Sequence, residues 1–168
     1  YFQSNKGRKK MRYVMVTGPM GAGKSTFMRS LPKPWGNFVV PDNVPDMLLD
    51  HACELNDFMF YEIDAPTATG KVWIEWLKAA DVQVVVANGL EKPDNHFIEL
   101  WNYLKENTPD TERIIILNRV SKIEYGWDDY SQETILCIDV GETIDEETAM
   151  ASESDILAVI NHLKENYG

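Results

Sequence analysis

Residues 14–30, VMVTGPMGAGKSTFMRS, decide how the rest of the chain is read. Within them, Gly18-Pro19-Met20-Gly21-Ala22-Gly23-Lys24-Ser25 satisfies the pattern GxxxxGK[ST]. Glycines at these spacings let a loop curl until successive backbone N–H groups face inward, a concavity that suits phosphate oxygens. Lys24 is placed to reach the outer phosphates as a point charge, and the Ser25 hydroxyl to bind an accompanying Mg2+. A helix opening near Lys24 would add its partial positive end. The expected phosphate-binding set is Gly18, Pro19, Met20, Gly21, Ala22, Gly23, Lys24, Ser25 and Thr26, with Lys24 the candidate catalytic residue. The bland alternative is a glycine-rich turn that matches by accident.

Context favours the phosphate reading. Residues 12–17, RYVMVT, read as a β-branched strand leading in. GKSTFMRSL leads out as a helix stopped by Pro32 and Pro34. A strand, this loop and a helix in succession mark a P-loop NTPase-type domain. Downstream, residues 57–64, 82–88, 113–118 and 134–140 read as strands, and 37–40 as a short strand at best. Residues 70–80, 95–107 and 152–167 read as helices, the last with Ser152 and Asp155 suited to its capping box and first turn. Residues 46–55 read as a short helix or an irregular segment. Strands alternating with helices predict an α/β fold of three layers, a mostly parallel sheet with helices on both faces. The stretches 32–47, 65–70, 120–132 and 140–152 read as the mobile ones.

A magnesium ion beside the loop needs a carboxylate at the end of a neighbouring strand. Asp64 ends the FMFYEI run, where such a group belongs, and joins Ser25 as the candidate metal pair. Glu62 is the rival, placed by strand alternation beside the same strand end rather than at its tip. An aspartate that only caps a turn is the bland reading of Asp64.

With Lys24 and Asp64 placed, the chain resembles the Ras-like small GTPase superfamily over about residues 11–167. GPMGAGKS resembles the first guanine-nucleotide motif, DAPT at 64–67 stands where the family has DxxG, and NRVS at 118–121 stands where it has NKxD. The spacings, about 40 and 54 residues, are similar to the family's. The resemblance implies a six-stranded, mostly parallel sheet and GTP or GDP with Mg2+ as ligands, ATP not being excluded. It implies Asn118, Arg119 and Ser121 as base-binding residues, and LCIDV at 136–140 lies where the family has its last base-contacting loop. A plain strand-to-loop exit is the alternative for 118–121.

The departures matter as much. Ser121 replaces the aspartate that selects guanine, and a hydroxyl cannot reproduce a bidentate carboxylate. Thr67 replaces the DxxG glycine, and Ala68 stands where a water-orienting glutamine normally follows. Residues 31–66 contain no Ser or Thr, so the switch threonine of the family has no counterpart. Asp42, Asn43 or Asp46 are the groups available to the metal instead. Met20 stands where Ras proteins have a small glycine. Beyond Arg12 the chain offers only Arg29, Arg113 and Arg119, with Arg113 expected at the far end of its strand. The chain keeps what grips phosphates and lacks much of what hydrolyses and signals.

Bulk properties set the remaining bounds. The chain has 168 residues and a formal net charge of −11. YFQSN resembles the remnant of a cleavable tag, and KGRKK a basic lead-in or an arm for an anionic partner, which leaves 11–168 as one expected domain. Without Lys6, Arg8, Lys9 and Lys10 the body carries −15, which excludes general DNA or RNA binding but not one nucleotide site. Cys53 and Cys137 read as free thiols of a reducing cytoplasm, and no apolar run is long enough to span a membrane. Trp73, Trp76 and Trp101 read as core packing, and YGWDDY at 125–130 as a turn held by local packing, with a partner-contact face the alternative for each. The acidic run 139–155 reads as a solvated loop or a dock for a basic partner.

Three functions remain open at this stage. The first is a divergent nucleotide-binding small GTPase with weak or partner-assisted hydrolysis of the γ-phosphate. The second is a pseudo-GTPase scaffold acting through partners, and the third a P-loop small-molecule kinase.

Overall fold

Val14, Met15 and Val16 have no solvent exposure, and the sheet is built outward on both sides from the strand that contains them. The computed structural model describes residues 11–19, 21–31, 52–55, 57–63, 71–123, 126–139 and 151–167. The readings made for Met20, for 32–51, for Asp64 to Gly70, for Tyr125 and for 140–150 lie outside the described residues.

In chain order the elements are β1 (Arg12–Thr17), α1 (Lys24–Arg29), β2 (Ala52–Leu55), β3 (Phe58–Glu62), α2 (Lys71–Ala79) and β4 (Val82–Asn88). They continue as α3 (Asn95–Asn107), β5 (Glu112–Asn118), a 3-10 turn (Asp128–Tyr130), β6 (Thr134–Ile138) and α4 (Glu153–Tyr167). The six strands lie in the order β2-β3-β1-β4-β5-β6. Every neighbouring pair is parallel except β2 with β3. The expected α/β architecture, with six mostly parallel strands, is the one observed.

Alternation along the strands divides the core by face. Val14, Val16, Phe58, Phe60, Val84, Val86, Ile114 and Ile116 pack with Phe27 and Met28 of α1 and with Ile156, Val159, Ile160 and Leu163 of α4. Met15, Tyr61, Val85, Ala87, Ile115 and Leu117 pack with Trp76 and Leu77 of α2 and with Phe97, Leu100, Trp101 and Leu104 of α3. Strands covered on both faces have no polar side, which is why β4 and β5 read as continuous apolar runs. The one buried polar residue within β4, Gln83, is satisfied: its Nε2 donates to Thr108 Oγ1 at 2.9 Å, and its Oε1 accepts from Arg113 at 3.2 Å.

The reading of 46–55 as helix or irregular chain needs correction at its C-terminal end, where Ala52–Leu55 is the antiparallel edge strand. Cys53 and Leu55 point into the core while Ala52 and Glu54 are half-buried, a period-2 pattern too short to stand out in sequence. The last strand stops at Ile138, before Val140. Ser152 caps α4 as expected, its Oγ accepting from the Asp155 N–H at 3.3 Å. Asp155 instead ties the helix to the sheet, its carboxylate accepting from the Asp139 N–H at 2.8 Å.

The stretch 120–132, read as mobile, is anchored where it is described. Trp127 is buried, its ring 4.9 Å from Phe97, and its Nε1 donates to the Glu91 carbonyl at 2.9 Å. Tyr130 meets Phe97 and Trp101 edge-on. The local-packing reading of 125–130 fits this aromatic cluster, as does the core reading of Trp76 and Trp101; the side chain of Trp73 lies outside the described residues.

Candidate functional site

The loop between β1 and α1 owes its shape to two close approaches. A Cβ on Gly18 would overlap the carbonyl of Val86 on β4, so only glycine lets the chain leave β1 against its neighbour. At Gly23 the backbone turns with φ of 104°, and a Cβ there would run into the Asn118 side chain. Between them the Ala22 N–H donates to the Pro19 carbonyl at 3.1 Å, closing a tight turn. Lys24 folds back over the loop, its Nζ donating to the Gly18 carbonyl at 3.0 Å. α1 starts at Lys24, as expected, but has only six residues.

Thr26 is buried, and its Oγ1 accepts from Arg29 at 3.3 Å, which commits that side chain to the helix. Ser25 faces a neighbouring strand, its hydroxyl 3.3 Å from both Glu62 carboxylate oxygens. Glu62 continues the row Phe58–Phe60 on the α1 face of β3, at the point where that row leaves the core. Asp64, the carboxylate favoured from sequence, lies outside the described residues, as does Met20. Ser25 and Glu62 present hydroxyl and carboxylate oxygens, a hard donor set that fits Mg2+.

Asn118 comes from the end of β5, at 2% exposure. Its Nδ2 donates to the Ala22 carbonyl at 3.1 Å, a bond between residues 96 positions apart. Its Oδ1 is buried with no hydrogen-bond partner among the described residues, and its backbone carbonyl accepts from the Gly89 N–H at 2.8 Å. Arg119 then takes a positive φ of 74°, unusual for a side chain of that size, and turns the chain out of the sheet. Ser121 is exposed. The sequence singled out Asn118 only as a base-binding candidate; its grip on the phosphate-type loop depends on two elements meeting in space. On its outer side the loop borders a cleft bounded by Pro19 and Ala22, by Glu91 and Asp94, and by Phe97 and Trp127.

Lys24, Ser25, Glu62 and Asn118 thus converge on one end of the sheet, at the C-terminal ends of β1, β3 and β5. In an open α/β sheet that is the end at which ligands bind. Arg113 belongs to the opposite end, as the sequence suggested, donating to the Thr108 carbonyl at 2.7 Å and lying 5.9 Å over the Trp101 ring. Burial lowers its pKa.

No protein-family model matches the sequence, and no curated protein matches it. Solved structures do match its fold. One is a variant of Era from Aquifex aeolicus bound to GDP and AlF4−, with a TM-score of 0.56 and 16% identity, over 90% of this chain and 56% of that one. Another is the G domain of the T. maritima FeoB iron transporter, with a TM-score of 0.53 and 16% identity, over 89% of this chain and 99% of that one. A third is Era in complex with MgGDPNP and nucleotides of 16S ribosomal RNA, with a TM-score of 0.55 and 16% identity, over 91% of this chain and 56% of that one. This chain spans about half the length of the Era chains and nearly all of the FeoB domain.

Proposed function

We propose that this chain, folded as a Ras-like P-loop GTPase domain, binds GTP or GDP with Mg2+ and hydrolyses the γ-phosphate slowly or with a partner's help. The observation that carries the reading is the Asn118–Ala22 bond, which joins the loop after β5 to the loop after β1. Such a link ties the strand end expected to meet the base to the loop expected to meet the phosphates. The Oδ1 of Asn118, buried and without a hydrogen-bond partner among the described residues, supports a polar contact completed by a ligand at this end of the sheet. Era, which shares the fold, is known bound to GDP with AlF4− and to MgGDPNP, and this supports the same ligand class here.

In this reading Lys24 exchanges the Gly18 carbonyl for the outer phosphates, and the loop amides hold the rest of the polyphosphate. Ser25 would help to hold Mg2+, which when bound would offset the negative charge of the phosphates. Attack on the γ-phosphate lacks a water-orienting glutamine, because Ala68 stands at that position. It also lacks an arginine from Arg113, which is committed at the opposite end of the sheet. An activating protein that lends an arginine supplies the missing charge. The commitment of Arg113 likewise weighs against a small-molecule kinase with an arginine-bearing lid.

A pseudo-GTPase scaffold is the second reading, favoured by the absence of any Ser or Thr across residues 31–66. Calorimetric titration with GTP, GDP, ATP and ADP tests the first. Micromolar binding of the guanine nucleotides, about −8 kcal/mol, is the expected result. Equal, millimolar binding of all four overturns the guanine assignment, and unimpaired cellular function of Lys24→Ala favours the scaffold.

A further inference from the structure

We infer that Glu62, two residues before Asp64 in sequence, is the carboxylate that acts with Ser25 to hold the divalent cation. The inference rests on the nucleotide reading above and goes further by assigning the metal's protein carboxylate. Three observations carry it. Register comes first: Val16 of β1 stands opposite Glu62, and the Ile63 N–H donates to the Val16 carbonyl at 3.0 Å. The ladder therefore fixes Glu62 beside the strand that feeds the loop. Pattern comes second: Phe58 and Phe60 on the same face of β3 are buried in the core, and the row turns acidic where it leaves the core beside Ser25.

Geometry comes third. Ser25 Oγ lies 3.3 Å from Oε1 and 3.3 Å from Oε2. A hydroxyl committed to one carboxylate oxygen normally sits at about 2.7–2.8 Å. The Ser25 hydroxyl is shared between both oxygens, so two hard oxygen donors from different elements already stand side by side.

The test measures the affinity of a fluorescent guanine nucleotide in excess MgCl2 and in EDTA. Wild-type protein is expected to bind more tightly with magnesium. Glu62→Gln keeps the shape and removes the charge; it is expected to lose at least about tenfold of the magnesium-dependent tightening while its affinity in EDTA stays within about twofold. Ser25→Ala is expected to lose a similar factor, and the double variant no more than either single one, since both act on one ion. Mn2+ in place of magnesium gives a direct readout, with fewer ions bound per nucleotide complex in Glu62→Gln by electron paramagnetic resonance.

Several results overturn the assignment. One is magnesium-dependent tightening retained in full by Glu62→Gln. Another is an equal loss in magnesium and in EDTA, which marks a purely structural contact. A third is a larger magnesium-specific loss in Asp64→Asn than in Glu62→Gln. If Glu62→Gln does not fold, as judged by circular dichroism, Glu62→Asp keeps the charge with a shorter reach and is expected to lose part of the tightening; full retention there also overturns the assignment. Wild-type protein that binds no nucleotide at all overturns the underlying reading, before any variant is compared.

Discussion

Replacing Gly23 with alanine would set a methyl group against the Asn118 amide and force a left-handed backbone on a residue with a Cβ. The strain alone is worth about 1–2 kcal/mol, and the lost Asn118–Ala22 bond adds to it. Gly23→Ala is therefore expected to lower the denaturant midpoint and weaken nucleotide binding together, whereas Gly21→Ala, with open space around its Cβ, meets only the backbone strain. Cys53 supplies a second expectation at this scale. Burial pushes its thiol from 9.0 up to about 11, so above pH 9 the unfolded chain loses a proton that the folded chain retains. Stability from this group is intact below pH 9 and drains away between 9 and 11, by up to about 3 kcal/mol over that window. Urea titrations at pH 8 and 10.5 should show a smaller loss in Cys53→Ala than in wild type. The glycines and Lys24 were legible in sequence because the loop is local. The choice between Glu62 and Asp64 was not, because both close the same apolar run in sequence, and only the register of β3 with β1 sets Glu62 beside the loop.

The segment after β5 behaves as an element although it has little regular structure. Trp127 fills a pocket against Phe97 and holds the turn before α3 through the Glu91 carbonyl. Trp127→Phe keeps most of the apolar burial and removes that bond, at an expected cost of about 1–3 kcal/mol, whereas Trp127→Ala is expected to cost about 3–5 kcal/mol. Chemical denaturation of the two variants checks both figures. A reversed order would mean that the aromatic cluster contributes little. Strong periodicity made β4, β5 and α3 legible, and α3 starts and ends where the pattern places it. β2 escaped notice because four residues at a sheet edge carry too little pattern, and its identity comes from pairing with β3. The packing of residues 126–130 was foreseen in kind but not in partner, since Phe97 and Trp101 belong to a helix some thirty positions earlier.

Across the whole molecule, charge opposes the proposed ligand. A chain of net charge −11 repels a nucleotide at long range, so the loop must win at short range what the surface loses at a distance. Raising the salt from about 10 to about 150 mM shortens the reach of that field from about 30 to about 8 Å. The association rate of a fluorescent nucleotide, followed by stopped flow, is accordingly expected to rise severalfold with salt; a fall would indicate a local positive funnel stronger than the global field. The fold class was legible from alternating strands and helices, and the sheet's strand number came from the family resemblance. Strand order needed coordinates, because no local pattern records which neighbours a crossover will join.

The bond between Ala22 and Asn118 has a temporal side. A chain emerging from the ribosome exposes its glycine loop long before the fifth strand follows, 96 residues separating the two ends of that bond. Until that strand docks, the loop has no clasp from Asn118. If the chain takes the nucleotide proposed for it, a nascent chain would acquire that capacity only after β5 has emerged and closed the centre of the sheet.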